Sequence, residues 1–360
     1  MSDLSAPRPA EIRALTGLRG VAALYVVFFH SRCLGDITPL TAGVFAHGYI
    51  AVDLFFVLSG FVMAMTAAHL FEAKIRLDDI RYFLGLRLAR IYPLFALMTV
   101  LTFALVRTGG RSSTDLVFNL LLIHSWGLAT TIIATGWSIS TEWAAYLVFP
   151  WLSRLANRVG PWLSAGLVIL IFAALAAIAY GPAVLSGETI AEHSGPLDIS
   201  SPNGPGALIR CLGEFTLGLL VWRWRRLVPP VAALPLLVAS VALLAWPDSD
   251  LCLVVVFAWL IMALGHDRGI AARALGRRVP HYLGRLSYAL YLGHPLMALI
   301  ISGGLDSWNA HWPVAARVGL LLVLSLGFAA LLHHGLEIRA RQVMRRCLAA
   351  NPTPVAASAS

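Results

Sequence analysis

Apolar residues in this chain run in blocks of about twenty, separated by short polar stretches that hold nearly all of its arginines. A membrane-crossing helix needs about 20 mostly apolar residues, within a range of about 17–25. Read this way, the blocks predict spans near 15–33, 50–68, 91–106, 137–153, 162–180, 207–222, 228–246, 251–265, 284–302 and 315–334. The expected fold class is therefore an all-α integral membrane protein of about ten transmembrane helices. A further apolar stretch, roughly 116–133, is broken by Asn119, His124, Ser125 and Gly127.

Charge decides how that stretch is read. Read as re-entrant or interfacial, it leaves Lys74 with Arg76, Arg81, Arg87 and Arg90 on the same side as Arg154/Arg158, Arg223/Arg225/Arg226, Arg268 to Arg285, and Arg339 to Arg346. Arg8, Arg13 and Arg19 join them, and only Arg32, Arg107, Arg111, Arg210 and Arg317 fall opposite. A full span there would split the basic clusters across the membrane, against the positive-inside rule. Ten spans with both termini cytoplasmic is the expectation. The polar segment 181–206 is then an external loop, residues 1–340 one transmembrane domain, and 341–360 a disordered cytoplasmic tail ending in NPTPVAASAS.

Composition agrees. Of 360 residues, 59% are hydrophobic and 12% charged, about half the charged fraction usual in soluble proteins. The net charge of +9 reflects loop arginines, and no soluble basic domain remains to bind nucleic acid. The polar N-terminus lacks a small-residue cleavage site, so the first span is expected to serve as a signal anchor. Cys33, Cys211, Cys252 and Cys347 show no C-x-x-C spacing, and the histidines, among them His47, His193, His266, His281 and His311, lack metal-ligand spacing. No metal is implied.

The first span carries the most informative pair. Arg19 and His30 lie within RALTGLRGVAALYVVFFH, and ionisable groups inside a membrane are costly enough to mark function. Eleven residues turn through about 1100°, so both side chains share a helix face, separated by roughly 16 Å along the axis. A cation near one surface is thus paired with an imidazole deep in the bilayer. Imidazole is a general base whose ordinary pKa lies near neutrality, and such a base commonly needs an orienting carboxylate. Asp36 lies six residues on and points away from the His30 face. Asp53, opening the second span, and Glu142, within the fourth, are the better candidates.

The arginine, ten residues and histidine of Arg19 to His30, HGYIAVDLFFVLSGFVM at 47–63, GWSISTEWAAYLVFP at 136–150 and GRLSYALYLGHP at 284–295 together resemble the membrane-bound acyltransferase 3 family. The resemblance covers about 11–340. It implies transfer of an acyl group, usually acetyl, from cytoplasmic acetyl-CoA or another acyl-CoA to a hydroxyl of a carbohydrate or glycolipid acceptor. On that reading Arg19 holds the donor's phosphates with Arg87 and Arg90, which precede the third span and share one helix surface, since guanidinium pairs with phosphate through its planar fork. The roughly 16 Å from Arg19 to His30 matches the reach of a pantetheine arm. His30, with Asp53 and Glu142, is the expected catalytic group, either as general base or as a transient acyl carrier. Trp137, Ser138 and Tyr146, and Tyr288, Tyr291 and His294 on the ninth span, are the expected acceptor contacts. The partners expected are acyl-CoA, the acceptor and membrane lipid, in a multi-pass protein of the cell's inner (plasma) membrane. The rival from another class is a proton-coupled exporter of a polar or acidic solute, using His30, Asp53 and Glu142 as a relay.

Overall fold

The computed structural model describes residues 11–35, 39–106, 112–187, 194–307 and 312–350, all helices and turns without a strand. Arg8, Asp36, Arg107, Arg111, His193, His311 and residues 351–360 lie outside the described residues. Among the described residues, six helical stretches are long and apolar enough to cross a membrane: 13–34, 43–71, 77–105, 161–180, 278–304 and 314–344. Two shorter apolar helices cover 230–243 and 250–264.

In chain order the α-helices are α1 (Arg13–Ser31), α2 (Pro39–Ala46), α3 (Ala51–Ala67), α4 (Leu77–Leu105), α5 (Ser113–Leu120), α6 (Gly136–Arg158), α7 (Pro161–Tyr180), α8 (Ala183–Ser186), α9 (Gly206–Arg223), α10 (Ala233–Leu243), α11 (Asp250–Leu264), α12 (Ile270–Leu275), α13 (Arg278–Ser307), α14 (Val314–Leu332) and α15 (Ile338–Ala350). A π-helical turn, His333–Glu337, joins α14 to α15. The helix continues to Ala350, so 341–350 of the segment expected as a tail is helical.

Two side-by-side pairs form the centre. In hydrocarbon no hydrophobic force draws helices together, so they associate where small residues let backbones approach. Helix α1 lies along α13: a Cβ added at Gly20 would sit 2.4 Å from the Gly284 nitrogen, and one added at Gly284 would sit 1.9 Å from the Thr16 carbonyl oxygen. Helix α3 lies along α9 in the same manner, with Gly60 against the Phe215 carbonyl and Gly218 against that of Val57. Numbering rises together in both pairs, so the paired helices run in the same direction.

Prolines inside α4 (Pro93), α6 (Pro150) and α13 (Pro295) each remove a helical N–H. Pro295 leaves the Tyr291 carbonyl, four residues back, without its helical donor. The Thr135 hydroxyl donates to that oxygen at 2.9 Å. A neighbouring segment thus resupplies a backbone bond where water is scarce.

The broken stretch at 116–133 forms no long helix. Helix α5 has two turns, started by a capping box in which Ser112 and Asp115 exchange hydrogen bonds. The chain after it is irregular and pinned by side chains: Asn119 donates to the Asp115 and Thr130 carbonyls, both at 2.8 Å, and Trp126 Nε1 donates to the Ser140 carbonyl at 3.0 Å. Asn119, His124 and Ser125 are fully buried there, which explains how non-helical backbone persists beside apolar spans.

Candidate active site

Helices α1, α3, α4, α6 and α13 line a partly open cavity with about 810 Å³ of empty space, some of it continuous with solvent. Of the residues expected at the site, it brings together Arg19, Arg90, Ser138, Glu142, Tyr146, Tyr288 and Tyr291. A second cavity of about 1210 Å³ shares Arg19, Leu58, Val62, Arg90, Ser287 and Tyr288 with it and continues to the arginine-rich end, where Arg285, His333, Glu337 and Arg341 line it. Arg19 and Arg90 therefore stand at the neck between a polar vestibule and a largely apolar inner chamber.

Close packing of α1 on α13 sets Arg19. Its Nε donates to Ser287 Oγ at 3.0 Å and one terminal nitrogen to the Gly284 carbonyl at 2.9 Å. Two neutral acceptors orient the fork, and no carboxylate hydrogen-bonds to it among the described residues. Inside the chamber Glu142 accepts from the Ser59 hydroxyl and, at 2.7 Å, from Tyr146 Oη. Two hydroxyl donors leave a carboxylate with further acceptor capacity directed at the cavity. Ser138 and Tyr291 share a hydroxyl–hydroxyl bond of 2.8 Å at the cavity wall. Tyr288 donates to the Ile91 carbonyl at 2.6 Å, tying α13 to α4.

His30 takes a partner that its sequence neighbourhood does not announce. His294 Nδ1 lies 2.9 Å from the Leu290 carbonyl, and His294 Nε2 lies 3.2 Å from His30 Nδ1. A carbonyl only accepts, so His294 carries its proton on Nδ1 and presents Nε2 as an acceptor. His30 Nδ1 then carries the proton, within reach of both His294 Nε2 and the Val26 carbonyl, 3.0 Å away. By elimination the lone pair of His30 is on Nε2. Two carbonyls and one neighbouring imidazole thus fix a tautomer suited to taking a proton. His30 and His294 line neither cavity; Tyr291, which does line the first, stands between, its ring centroid 6.4 Å from that of His294.

Several expectations are corrected. Asp53 does not orient His30; it is fully buried in a two-point pair with Arg210, whose Nε donates to Asp53 Oδ1 at 2.9 Å while a terminal nitrogen meets Oδ2. The parallel packing of α3 and α9 puts these two residues, each near the start of its helix, face to face. Arg210 also donates to the Ile199 and Tyr49 carbonyls at 3.1 and 3.3 Å. Nearby, Asp250 accepts from Tyr49 Oη and from the Leu197 N–H, both at 2.8 Å, so the network ties residues 197–199 down. Glu142 likewise serves Ser59 and Tyr146 in place of His30. Trp137 is not on the cavity wall: its ring lies 5.4 Å from the Arg210 guanidinium carbon, an internal cation–π contact. Arg87 also misses both cavities; its guanidinium lies over Phe83, 5.7 Å from the ring centre, and donates to Met63 Sδ. His294, expected at the acceptor, is instead the partner of His30.

Arg210 and Ser59 are the residues sequence reasoning missed. A signal existed for the first. A carboxylate in the opening turn of one span and an arginine in the opening turn of another require each other, because unpaired charge inside a membrane is expensive. Ser59 carried no such signal.

The family model described as the acyltransferase domain of acyltransferase 3 matches residues 12–334. The chain belongs to that family. It is 31% identical to a protein named acyltransferase MdmB of Streptomyces mycarofaciens, over 97% of each chain. It is 40% identical over 100 residues to protein 2 in the picA locus of Rhizobium radiobacter, which covers 27% of this chain and 47% of that one. No solved structure matches the chain. With its six long apolar helices, this member of the acyltransferase 3 family is a multi-pass membrane protein carrying a transferase domain.

Proposed function

We propose that this acyltransferase moves an acetyl group from cytoplasmic acetyl-CoA to a hydroxyl of a carbohydrate or glycolipid acceptor at the inner (plasma) membrane. Ten membrane-crossing helices with both termini cytoplasmic accommodate that reaction, because the vestibule then opens at the cytoplasmic, arginine-rich end. The observation that carries the reading is the His30–His294 pair, with His30 Nε2 left as base, beside a cavity whose neck is lined by Arg19 and Arg90.

Arg19 and Arg90 take the donor's diphosphate, and the pantetheine arm enters the chamber, where Glu142 accepts from its amide N–H groups. The thioester reaches the Tyr291 wall. His30 Nε2 removes the acceptor's hydroxyl proton as its oxygen attacks the thioester carbonyl. A C–O bond forms, the C–S bond breaks, and the proton on Nε2 passes to the departing CoA thiolate. The same free Nε2 is the nucleophile if His30 instead carries the acyl group transiently; label retained on the protein would mark that route.

The test is transfer of label from acetyl-labelled acetyl-CoA into glycan and lipid fractions, using membranes with the intact protein or its His30→Ala variant at matched expression. Label that depends on His30 supports the reading. Equal label with both, and unchanged CoA release, overturns it.

A further inference from the structure

The π-helical turn His333–Glu337 places a carboxylate among cations. Glu337 lines the vestibule with Arg19, Arg90, Arg285 and Arg341. It is only 5% exposed. One of its oxygens accepts from His333 Nδ1 at 2.8 Å and the other pairs with Arg341. His333 is itself 4% exposed, and its Nε2 is buried without a partner. Buried polar atoms without a partner are rare in native proteins, and each calls for a reason. π-turns inside α-helices are rare and concentrate at functional positions. His333 and Glu337, four residues apart across this turn, meet at the cavity wall.

Position along the cavity gives the ligand its chemistry. Arg19 and Arg90 lie at the neck, so a donor that places its diphosphate there projects its nucleoside outward into the vestibule. The outermost phosphate of such a donor is a monoester, which carries about −1.5 to −2 charge at neutral pH. It requires more than one cation and at least one additional donor. Arg341, Arg285 and His333 are those groups, and Glu337 occupies them meanwhile.

We propose that His333, Arg341 and Arg285 form a phosphomonoester site that reads the ribose 3′-phosphate of the donor, with Glu337 as a resident anion which that phosphate displaces. This rests on the acyl-CoA reading above but goes beyond it, since it assigns the selectivity for the 3′-phosphate to the π-turn and α15.

The experiment measures binding of CoA and of 3′-dephospho-CoA to the full chain in lipid nanodiscs, by calorimetry, with no acyl transfer required. The expected result is CoA binding at least tenfold tighter than dephospho-CoA, a ratio that falls to near one in Arg341→Gln and narrows in Arg285→Gln. Dephospho-CoA binding stays unchanged in both, which also shows that the variants are folded. Glu337→Gln widens the ratio, because the competing anion is gone. A ratio near one in the unaltered protein, or one that Arg341→Gln and Arg285→Gln both leave intact, overturns the site while leaving CoA as donor. Binding of neither compound overturns the donor reading together with it.

Discussion

His30 and His294 share a hydrogen bond of 3.2 Å between Nδ1 and Nε2, though they belong to α1 and α13 and stand 264 residues apart. A neutral imidazole thus fills the place that a carboxylate holds in the more familiar arrangement of a catalytic base. It orients His30 without adding negative charge to an apolar site, where an unpaired carboxylate would be costly.

Replacing His294 should therefore slow the chemical step without abolishing it. His294→Ala should lower kcat by roughly tenfold, about the worth of one neutral hydrogen bond, with KM for the donor nearly unchanged. His30→Ala should lose about 10²–10⁴-fold, the range for a general base. His294→Gln, whose amide oxygen can still accept from His30 Nδ1, should retain more activity than His294→Ala. Equal losses in the two His294 variants would show that the accepted proton is immaterial. Initial-rate kinetics in membranes measures all three.

Asp53 and Arg210 should behave as a structural pair. Breaking a buried ion pair at one partner costs about 3–5 kcal/mol, because a lone charge is stranded. Asp53→Ala and Arg210→Ala should each sharply lower thermal stability in detergent, while Asp53→Leu with Arg210→Met should recover most of it. A folded, stable Asp53→Ala protein with no activity would instead return Asp53 to a chemical role. Unfolding followed by intrinsic tryptophan fluorescence distinguishes these outcomes.

The α1–α13 contact makes a steric prediction. Gly284→Ala would put a methyl group 1.9 Å from the Thr16 carbonyl oxygen, which forces the helices apart and pulls His30 away from His294. Activity should fall at least tenfold. Gly166→Ala on α7, with nothing within 4 Å of the added carbon, should leave activity unchanged and match or raise stability, since alanine is the better helix former.

Asp115 supplies a pH dependence outside the spans. Bonds from the Ser112 backbone N–H foremost, and from the Ser112 hydroxyl and Thr130 N–H, hold its carboxyl down to about 2 from an ordinary 3.8. Because the folded value is the lower one, its contribution is complete above pH about 3.8 and fades as pH falls through about 2. Amide hydrogen exchange in residues 112–135 should be slow and steady from pH 7 to 5 once corrected for intrinsic rate. Relative protection should then drop between pH 4 and 2. Asp115→Asn should show the drop already at neutral pH.

The helical class and the membrane setting follow from the sequence alone, because a chain in hydrocarbon must satisfy its own backbone bonds and a twenty-residue apolar run does so only as a helix. The same logic singled out Arg19 and His30, since ionisable groups are conspicuous against that background, and the motifs named the family. The distribution of arginines kept 116–133 from being read as a full span, and the stretch forms no long helix. What each buried charge faces was decided only in three dimensions. The sequence offered His30 three carboxylates and Trp137 a sugar; packing gave His30 an imidazole, Asp53 an arginine and Trp137 that same arginine. The reason is that small residues such as Gly20, Gly60, Gly218 and Gly284 set which helices touch and in what register. Those contacts join positions more than a hundred residues apart, and no periodicity along a single helix encodes them.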